Sequence, residues 1–265
     1  MNRTKPKIRL IQGDCLEVLK NIKSQSIDLI LTDPPYGTTA CKWDSVIPFE
    51  PMWMQLKRII KRNGVVLLFG SEPFSSNLRI SNIKNYKYDF VWKKNNSFGF
   101  VHSKNKPLTI TENISVFSKA PMGHKSLLGD RRMNYIPQGI KKSKEKKIKK
   151  TDHGNLLGAR PNQVGNKYTS YTNFPTNFLK FDVVPNKIHP SEKPVSLLMY
   201  LIKTYTKEKD SVLDFTMGSG STGVACIKTN RNFIGIEKEE DIFQLAKDRI
   251  KKLKFVKGFF NNDFI

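Results

Sequence analysis

The run Ser211-Val212-Leu213-Asp214-Phe215-Thr216-Met217-Gly218-Ser219-Gly220-Ser221-Thr222-Gly223 decides the fold of this chain. Its first four residues read as a short strand, and the glycines behind them close that strand in a tight loop. A helical stretch follows, then Phe233-Ile234-Gly235-Ile236-Glu237, a second strand ending in an acid. Glycine at 218 and 220 lets backbone approach a ligand closely at the carboxyl end of a strand. Glu237 comes 17 residues after Gly220, where a carboxylate can accept both hydroxyls of a ribose. Together these residues describe a site for a nucleoside-type cofactor. The lysine of a phosphate-binding loop is missing, which argues against a nucleotide triphosphatase.

Outward from this unit the same alternation continues. Ile8 to Ile11 is a strand ending at Gly13-Asp14, and Leu16, Leu19 and Ile22 then fall at helical spacing. Ile27 to Leu31 is a buried-type strand that runs straight into Asp33-Pro34-Pro35-Tyr36, whose prolines cannot continue a ladder. Met52, Trp53, Leu56, Ile59 and Ile60 predict a helix stopped by Asn63-Gly64, and Val65 to Phe69 a strand closed by Gly70-Ser71. Tyr88 to Trp92 and Ile114 to Phe117 are two further strands. Beyond residue 194, Val195, Leu198, Leu201, Ile202 and Tyr205 mark an amphipathic helix. The last helix is apolar at Ile242, Leu245, Ala246, Ile250 and Leu253, with Arg249 contributing its stem. Strands alternating with helices imply an α/β fold with a doubly wound, mostly parallel sheet.

The chain has 265 residues, 46 of them Lys or Arg against 23 Asp or Glu, for a net charge of +23. Such an excess gains most from a polyanion, nucleic acid being the commonest, although a lysine-rich proteome inflates the charge in the same direction. The 38% hydrophobic content comes in runs far shorter than the ~18 residues of a membrane span. Met1 to Lys7 has no apolar signal core behind it, so a cytoplasmic, soluble protein is expected. Cys15, Cys41 and Cys226 are scattered, as are His102, His124, His153 and His189, so neither a disulfide framework nor a metal site is expected. After Pro121 hydrophobic periodicity fades, and Lys141 to Lys150 holds seven lysines and one glutamate. The expected division is therefore one domain of residues 1–119 and 187–265, interrupted by a basic, partly flexible insertion at 120–186.

Asp33-Pro34-Pro35-Tyr36 offers a carboxylate, a backbone carbonyl fixed by its prolines, and an aromatic face. A planar base stacked on Tyr36 could direct both amino hydrogens at Asp33 and the Pro34 carbonyl. A strand-terminating turn with a packed tyrosine is the plainer alternative.

This tetrapeptide, followed by a variable insertion and then Asp214 to Gly220, resembles the beta group of the adenine-N6 and cytosine-N4 amino DNA methyltransferases, phage enzymes included. Gly13-Asp14-Cys15, His189-Pro190-Ser191-Glu192-Lys193-Pro194 and Gly235-Ile236-Glu237 resemble three further family segments in the same order. The resemblance implies a Rossmann-like methyltransferase sheet binding S-adenosylmethionine across the carboxyl ends of its strands. Asp214, Phe215, Thr216, Gly218, Ser219, Gly220 and Ser221 would cradle it, and Glu237 would hold the ribose. Asp14 with Cys15 would lie at the adenine, and His189, Ser191 and Lys193 at the methionine end. The target base would be flipped out of double-stranded DNA. Asp33 and the Pro34 carbonyl would take its amino group for direct methyl transfer, with Pro35 and Tyr36 completing the catalytic tetrapeptide. No metal, membrane or covalent enzyme intermediate enters such a reaction, and the cysteines are bystanders. Family members often carry Pro-Phe where Phe215-Thr216 stand here, which moves the aromatic by one position.

Aspartate at the head of the tetrapeptide favours adenine N6, since serine is more usual in the cytosine-N4 form. Cytosine-N4 methylation, a protein-glutamine methyltransferase and a catalytically silent DNA-binding module are the rivals. A nicotinamide enzyme would need a hydride-handling site, and none is visible. The insertion becomes a target-recognition region, with Arg131, Arg132, Arg160 and the lysine run on phosphates. Trp92 to Lys106, which interleaves aromatics with bases, suits contact with a displaced strand, or is a sheet edge with a solvated loop. Trp43-Asp44 either closes over the base or belongs to the core. A homodimer and a restriction-modification setting are further expectations from the resemblance.

Overall fold

The computed structural model describes residues 5–38, 44–147, 167–188 and 192–256. The chain forms two compact units, Met1–Ile136 with Asn177–Ile265, and Pro137–Thr176. The first unit begins with β1 (Ile8–Gln12), α1 (Cys15–Lys20), β2 (Ile27–Thr32), α2 (Phe49–Ile59), β3 (Ile60–Gly70) and α3 (Phe74–Ser81). It continues through β4 (Tyr86–Phe98), β5 (Thr109–Phe117) and the single turn α4 (Lys125–Leu128). The second unit holds the antiparallel pair β6 (Lys141–Lys147) and β7 (Lys167–Thr172). The first unit then resumes with β8 (Phe178–Lys180), α5 (Val195–Tyr205), β9 (Ser211–Asp214), α6 (Ser221–Thr229), β10 (Asn232–Glu237) and α7 (Glu240–Val256).

The eight-stranded sheet has the order β1-β10-β9-β2-β3-β5-β4-β8. The first five strands are mutually parallel, β5 is antiparallel to β3 and to β4, and β8 adds parallel to β4. From β9 the chain proceeds to β10 on one side, and from β2 to β3 on the other. The reversal opens a crevice at the carboxyl ends of β2 and β9, where α/β sheets bind ligands.

Helices cover both faces, which explains why β2 is an unbroken apolar run apart from Asp28 and Thr32. Leu29, Leu31, Val212 and Phe233 pack on one side with α5, α6 and α7. Ile30, Leu213 and Ile236 pack on the other with Leu19, Trp53, Leu56 and Leu78 of α1, α2 and α3.

Several sequence expectations need correction. Asn63-Gly64 does not stop α2, which ends at Ile59; both residues lie within β3. Gly64 is required there because a Cβ would sit 2.9 Å from the Asp28 carbonyl, beside the register shift between β2 and β3. No hydrophobic periodicity predicts α3, because only Phe74 and Leu78 give it a buried apolar stripe. Residues 120–136 follow the first unit, with Ala120 and Met133 buried in its core and the Ile136 amide on the Thr204 carbonyl at 2.7 Å. The separate unit is thus narrower than 120–186. The first seven residues of the lysine run form β6; its last three, Ile148, Lys149 and Lys150, lie outside the described residues, as does Arg160.

Candidate active site

A cavity of about 530 Å³ opens over the crevice. Asp14 and Cys15 line it from the start of α1, and Asp33, Pro34, Pro35 and Tyr36 from the loop after β2. Phe215, Thr216 and Gly218 line it from the loop after β9, Glu237 from the end of β10, and Lys193 from the approach to α5. Ser219 and Ser221 face a small adjoining crevice of about 30 Å³ that shares Asp33, Lys193, Thr216 and Gly218 with the main cavity. His189 and Ser191 lie outside the described residues.

The tetrapeptide sits in a closed network of charges. Tyr36 donates its hydroxyl proton to Asp33 Oδ1 and lies 3.1 Å from Glu112 Oε1. Lys193 Nζ is 2.5 Å from Asp33 Oδ2 and 3.1 Å from Glu112 Oε1, while Lys94 Nζ is 2.6 Å from Glu112 Oε2. Two carboxylates thus face two ammonium groups in a largely buried setting, which satisfies charges that would otherwise be costly to desolvate. Burial opposes the charge on Lys193, yet Asp33 and Glu112 lift its pKa well above the ordinary lysine value. Burial likewise opposes Glu112, but Lys193 and Lys94 hold its carboxyl below the usual range. For Asp33 burial, with Glu112 adding, outweighs the pull of Lys193 and pushes the carboxyl up. The Tyr36 phenol is raised by burial and by both carboxylates, so it stays neutral and a donor.

A third acid shapes the turn. Asp44 accepts the backbone N–H groups of Tyr36 at 2.8 Å, Gly37 at 2.9 Å and Thr38 at 2.9 Å. Gly37 takes φ +68° inside that turn, where a Cβ would also strike Val46. Asp44 therefore fixes the chain leaving the tetrapeptide; Trp43 lies outside the described residues.

The loop after β9 is joined to the tetrapeptide and to β10. Thr216 donates its hydroxyl to the Asp33 carbonyl at 3.0 Å, and the Gly218 amide donates to Glu237 Oε2 at 2.9 Å. Glu237 Oε1 accepts the amides of Lys238 and Glu239 at 2.8 and 3.0 Å, which fixes the carboxylate at the cavity wall. Gly218 has φ +49°, and a Cβ built on it would meet nothing within 4 Å, so its backbone borders open space. Gly220, at φ +76°, instead lies under α7, where a Cβ would be 3.1 Å from Ile250 and 3.2 Å from Ala246. The displaced aromatic Phe215 is 1% exposed; its ring packs with the α1–α2 side of the core and reaches the cavity wall. A fixed carboxylate beside open glycine backbone fits a nucleoside-bearing cofactor.

Asp214 turns inward. Its oxygens accept the hydroxyls of Thr32 at 3.0 Å and Thr222 at 2.6 Å, tying β9 to β2 and α6. Burial among hydroxyls rather than cations pushes its acid up to about 7. Asp14 caps α1 by accepting the Leu16 amide at 2.9 Å. Cys15 lies half-buried beside it, its thiol pushed up to about 12 by burial and by the Asp14 charge. Among the described residues no group of three or more His, Cys, Asp or Glu is placed to hold a metal.

Three side chains of this site, Glu112, Lys94 and Arg249, were given no place in it by the sequence, whereas Glu192 lies in the His189-to-Pro194 segment that carries the family resemblance. Glu112 and Lys94 come from β5 and β4, and nothing at their positions distinguishes them from strand-edge charges. Arg249, expected to contribute only its stem, places its guanidinium 3.1 Å from both the Ser219 carbonyl and Ser221 Oγ, and 2.5 Å from Glu192. Glu192 in turn accepts the Ile188 amide at 3.0 Å. A cation at helical spacing facing a glycine loop was the available signal for Arg249.

A family profile described as DNA methylase, that of the N6/N4 methyltransferases, matches residues 27–248. The chain is 27% identical to the type II methyltransferase M.HinfI of Haemophilus influenzae, over 92% of this chain and 68% of that protein. It is 28% identical to the type II methyltransferase M.HpaI of Haemophilus parainfluenzae, over 91% and 74%. The crystal structure of the M1.HpyAVI–SAM complex is similar at a TM-score of 0.59 and 25% identity, over 91% of this chain and 99% of that one. The cytosine-N4-specific PvuII DNA methyltransferase shares the fold at a TM-score of 0.63 with 16% identity. With the profile running from the first residue of β2 into α7, through both loops that build the cavity, the chain belongs to the N6/N4 DNA methylase family.

Proposed function

We propose that this protein is a site-specific DNA methyltransferase that methylates adenine N6 of a base turned out of the duplex, using S-adenosylmethionine. The observation that carries the reading is the shared cavity: the Asp33-Pro34-Pro35-Tyr36 loop and the Gly218–Glu237 pair border one space of about 530 Å³. S-adenosylmethionine supplies a methyl group on a positively charged sulfur, open to attack by an amine. Glu237 and the open backbone at Gly218 hold its ribose side, Asp14 and Cys15 border the adenine, and Phe215 and Thr216 complete the wall. Ser219, Gly220 and Ser221 keep that loop in shape, Ser219 and Ser221 through Arg249 and Gly220 through its packing on α7. Asp214 does so through Thr32 and Thr222. His189 and Ser191 belong to the methionine end.

Asp33 and the Pro34 carbonyl accept the two amino hydrogens of the target. That draws the nitrogen lone pair out of conjugation and aims it, so proximity and alignment supply much of the acceleration. Tyr36, backed by Phe74 with ring centroids 5.0 Å apart, presents its face to the base and locks the Asp33 rotamer. Lys193 balances the Asp33 charge. The proton shed by the methylated nitrogen has the Asp33 carboxylate beside it. The basic residues of the 120–186 region, Arg131 and Arg132 among them, bind phosphates and carry little sequence information.

The test is single-molecule sequencing of DNA from cells expressing the protein, with Asp33→Ala as control. Methyl-adenine at one recurring sequence, absent from the control, is the expected result. Transfer by purified Asp33→Ala falls by more than ~1,000-fold while cofactor affinity holds within about threefold. Methyl-cytosine at the recurring sequence would keep the site and change the base; normal turnover in the variant would overturn the site.

A further inference from the structure

The hairpin between β4 and β5 carries side chains that neither the core nor the cavity uses. Between Asp89 and Glu112 the chain has no acid and four lysines: Lys93, Lys94, Lys104 and Lys106. At its tip Phe100 is 79% and Val101 91% exposed, the two most exposed large apolar side chains among the described residues. The tip is a closed turn. Gly99 takes φ +88°, the His102 amide bonds the Gly99 carbonyl at 2.9 Å, and the Ser103 amide bonds Phe100 at 3.0 Å. The Lys106 amide closes it on the His102 carbonyl at 3.0 Å. Both apolar side chains are thus held out in water by an ordered backbone.

The strand below them leads into the cavity. Trp92, Lys94 and Phe98 line its wall, and Lys94 lies over the Phe98 ring at 4.7 Å. Phe100 is two residues beyond Phe98, so their Cα atoms are within about 7.6 Å of each other. A base seated in the cavity therefore leaves its stack beside this tip. Exposed apolar groups ringed by one sign of charge mark an interaction surface. A second copy of the chain would set lysines against lysines. Duplex DNA offers phosphates to the lysines and, between base steps, an apolar slot of the kind that inserted Phe, Leu or Ile side chains occupy.

We propose that Phe100 and Val101 form a wedge that enters the duplex where the target base departs, while Lys104 and Lys106 meet the flanking phosphates. The wedge fills the vacated stack and so lowers the cost of holding the base in the cavity. It rests on the DNA-methylation reading above, and it assigns the step of base extrusion to this hairpin.

The test compares two synthetic duplexes carrying the sequence found by sequencing, one fully paired and one with an abasic site opposite the target. Phe100→Ser/Val101→Ser is expected to lose at least tenfold in kcat/KM on the paired duplex. On the abasic duplex, where little pairing must be broken, it stays within about threefold of the unaltered protein. Phe100→Leu, which keeps an apolar wedge, retains activity on the paired duplex within about threefold. Equal activity of the double variant on the paired duplex overturns the wedge, and so does an equal loss on both duplexes. If the unaltered protein methylates neither duplex, the methylation reading itself falls, a result distinct from either.

Discussion

In the parallel half of the sheet, β2 buries all six residues and β9 three of four, and each strand ends abruptly in a loop that carries chemistry. In the antiparallel half, β4 buries only Phe90 and Trp92 of its thirteen residues before running out to an exposed tip. The parallel half contributes backbone to the cavity: a proline-fixed carbonyl, an open glycine, an acid held by amides. The antiparallel half contributes charge, through Lys94 and Glu112. The two halves also treat buried acids in opposite ways. Asp214 meets two hydroxyls and the Thr216 amide, all neutral, and its acid rises to about 7; Glu112 meets two ammonium groups and its acid falls below the usual range. Neutral donors offset only part of the penalty of burial at Asp214, whereas two cations outweigh it at Glu112. The tetrapeptide is therefore aimed by strands that carry no motif.

Removing Glu112 breaks that division most severely. Glu112→Ala removes the carboxylate that Lys94 pairs with and one of the two that Lys193 pairs with, and an uncompensated buried charge costs about 3–5 kcal/mol in chemical denaturation. Glu112→Gln keeps the shape while deleting the charge. It is expected to lower single-turnover methyl transfer about 100-fold and to leave S-adenosylmethionine affinity, measured by calorimetry, within about threefold. Affinity falling in step with transfer would show that the two halves do not act separately.

What could be read from the chain follows the same line. Ile27 to Leu31 and Ser211 to Asp214 are short apolar runs cut off by proline or glycine, so their ends, and hence the site, were legible by position. Asp33, Tyr36, Gly218 and Glu237 meet at one cavity because those strands are neighbours, which only the reversal between β9 and β2 creates. Glu112 was not legible because its meaning depends on register. It pairs with Trp92 across β4–β5, and that pairing sets its carboxylate beside Lys94 and Lys193. Asn63-Gly64 misled for a related reason: the dipeptide signals a turn, while packing against Asp28 made it a strand irregularity. Asp214 looked like a ligand-facing acid because sequence shows the residue and not the side it turns to.

Asp214 gives the next effect in size, and a pH dependence with a definite sign. Its acid stands at about 7 in the folded protein against 3.8 for the unperturbed group. Between these values the folded state keeps a proton that the unfolded chain has released. Stability from this group is complete below about pH 4 and is lost as pH rises toward 7. Asp214→Asn lacks this dependence. From pH 4 to pH 7 the unaltered protein is expected to lose up to about 4 kcal/mol relative to Asp214→Asn, read as the gap between urea midpoints. The offset between the two proteins reflects the Thr32 and Thr222 hydroxyls, but its slope with pH belongs to Asp214. A gap that is flat with pH would mean that the hydroxyls outweigh burial, and the contrast with Glu112 would then disappear.

Cys15 gives the smallest effect and tests what the cavity wall asks of a side chain. It lies beside Asp14 at the start of α1, within the cavity, with its thiol pushed up to about 12. At pH 8 only about one molecule in 10,000 carries the thiolate, against roughly a quarter for a free thiol near 8.5. Alkylation of Cys15 by iodoacetamide at pH 8, followed by peptide mass spectrometry, is expected to run more than ~100-fold slower than that of free cysteine. Cys15→Ser is expected to keep methyl transfer and cofactor affinity within about twofold, because the α1 start is held by the Asp14 carboxylate rather than by sulfur. A larger fall in affinity with unchanged transfer would give Cys15 a packing role against the cofactor. That would make the sulfur, and not only the Asp14 cap beside it, part of what the parallel half presents to the cofactor.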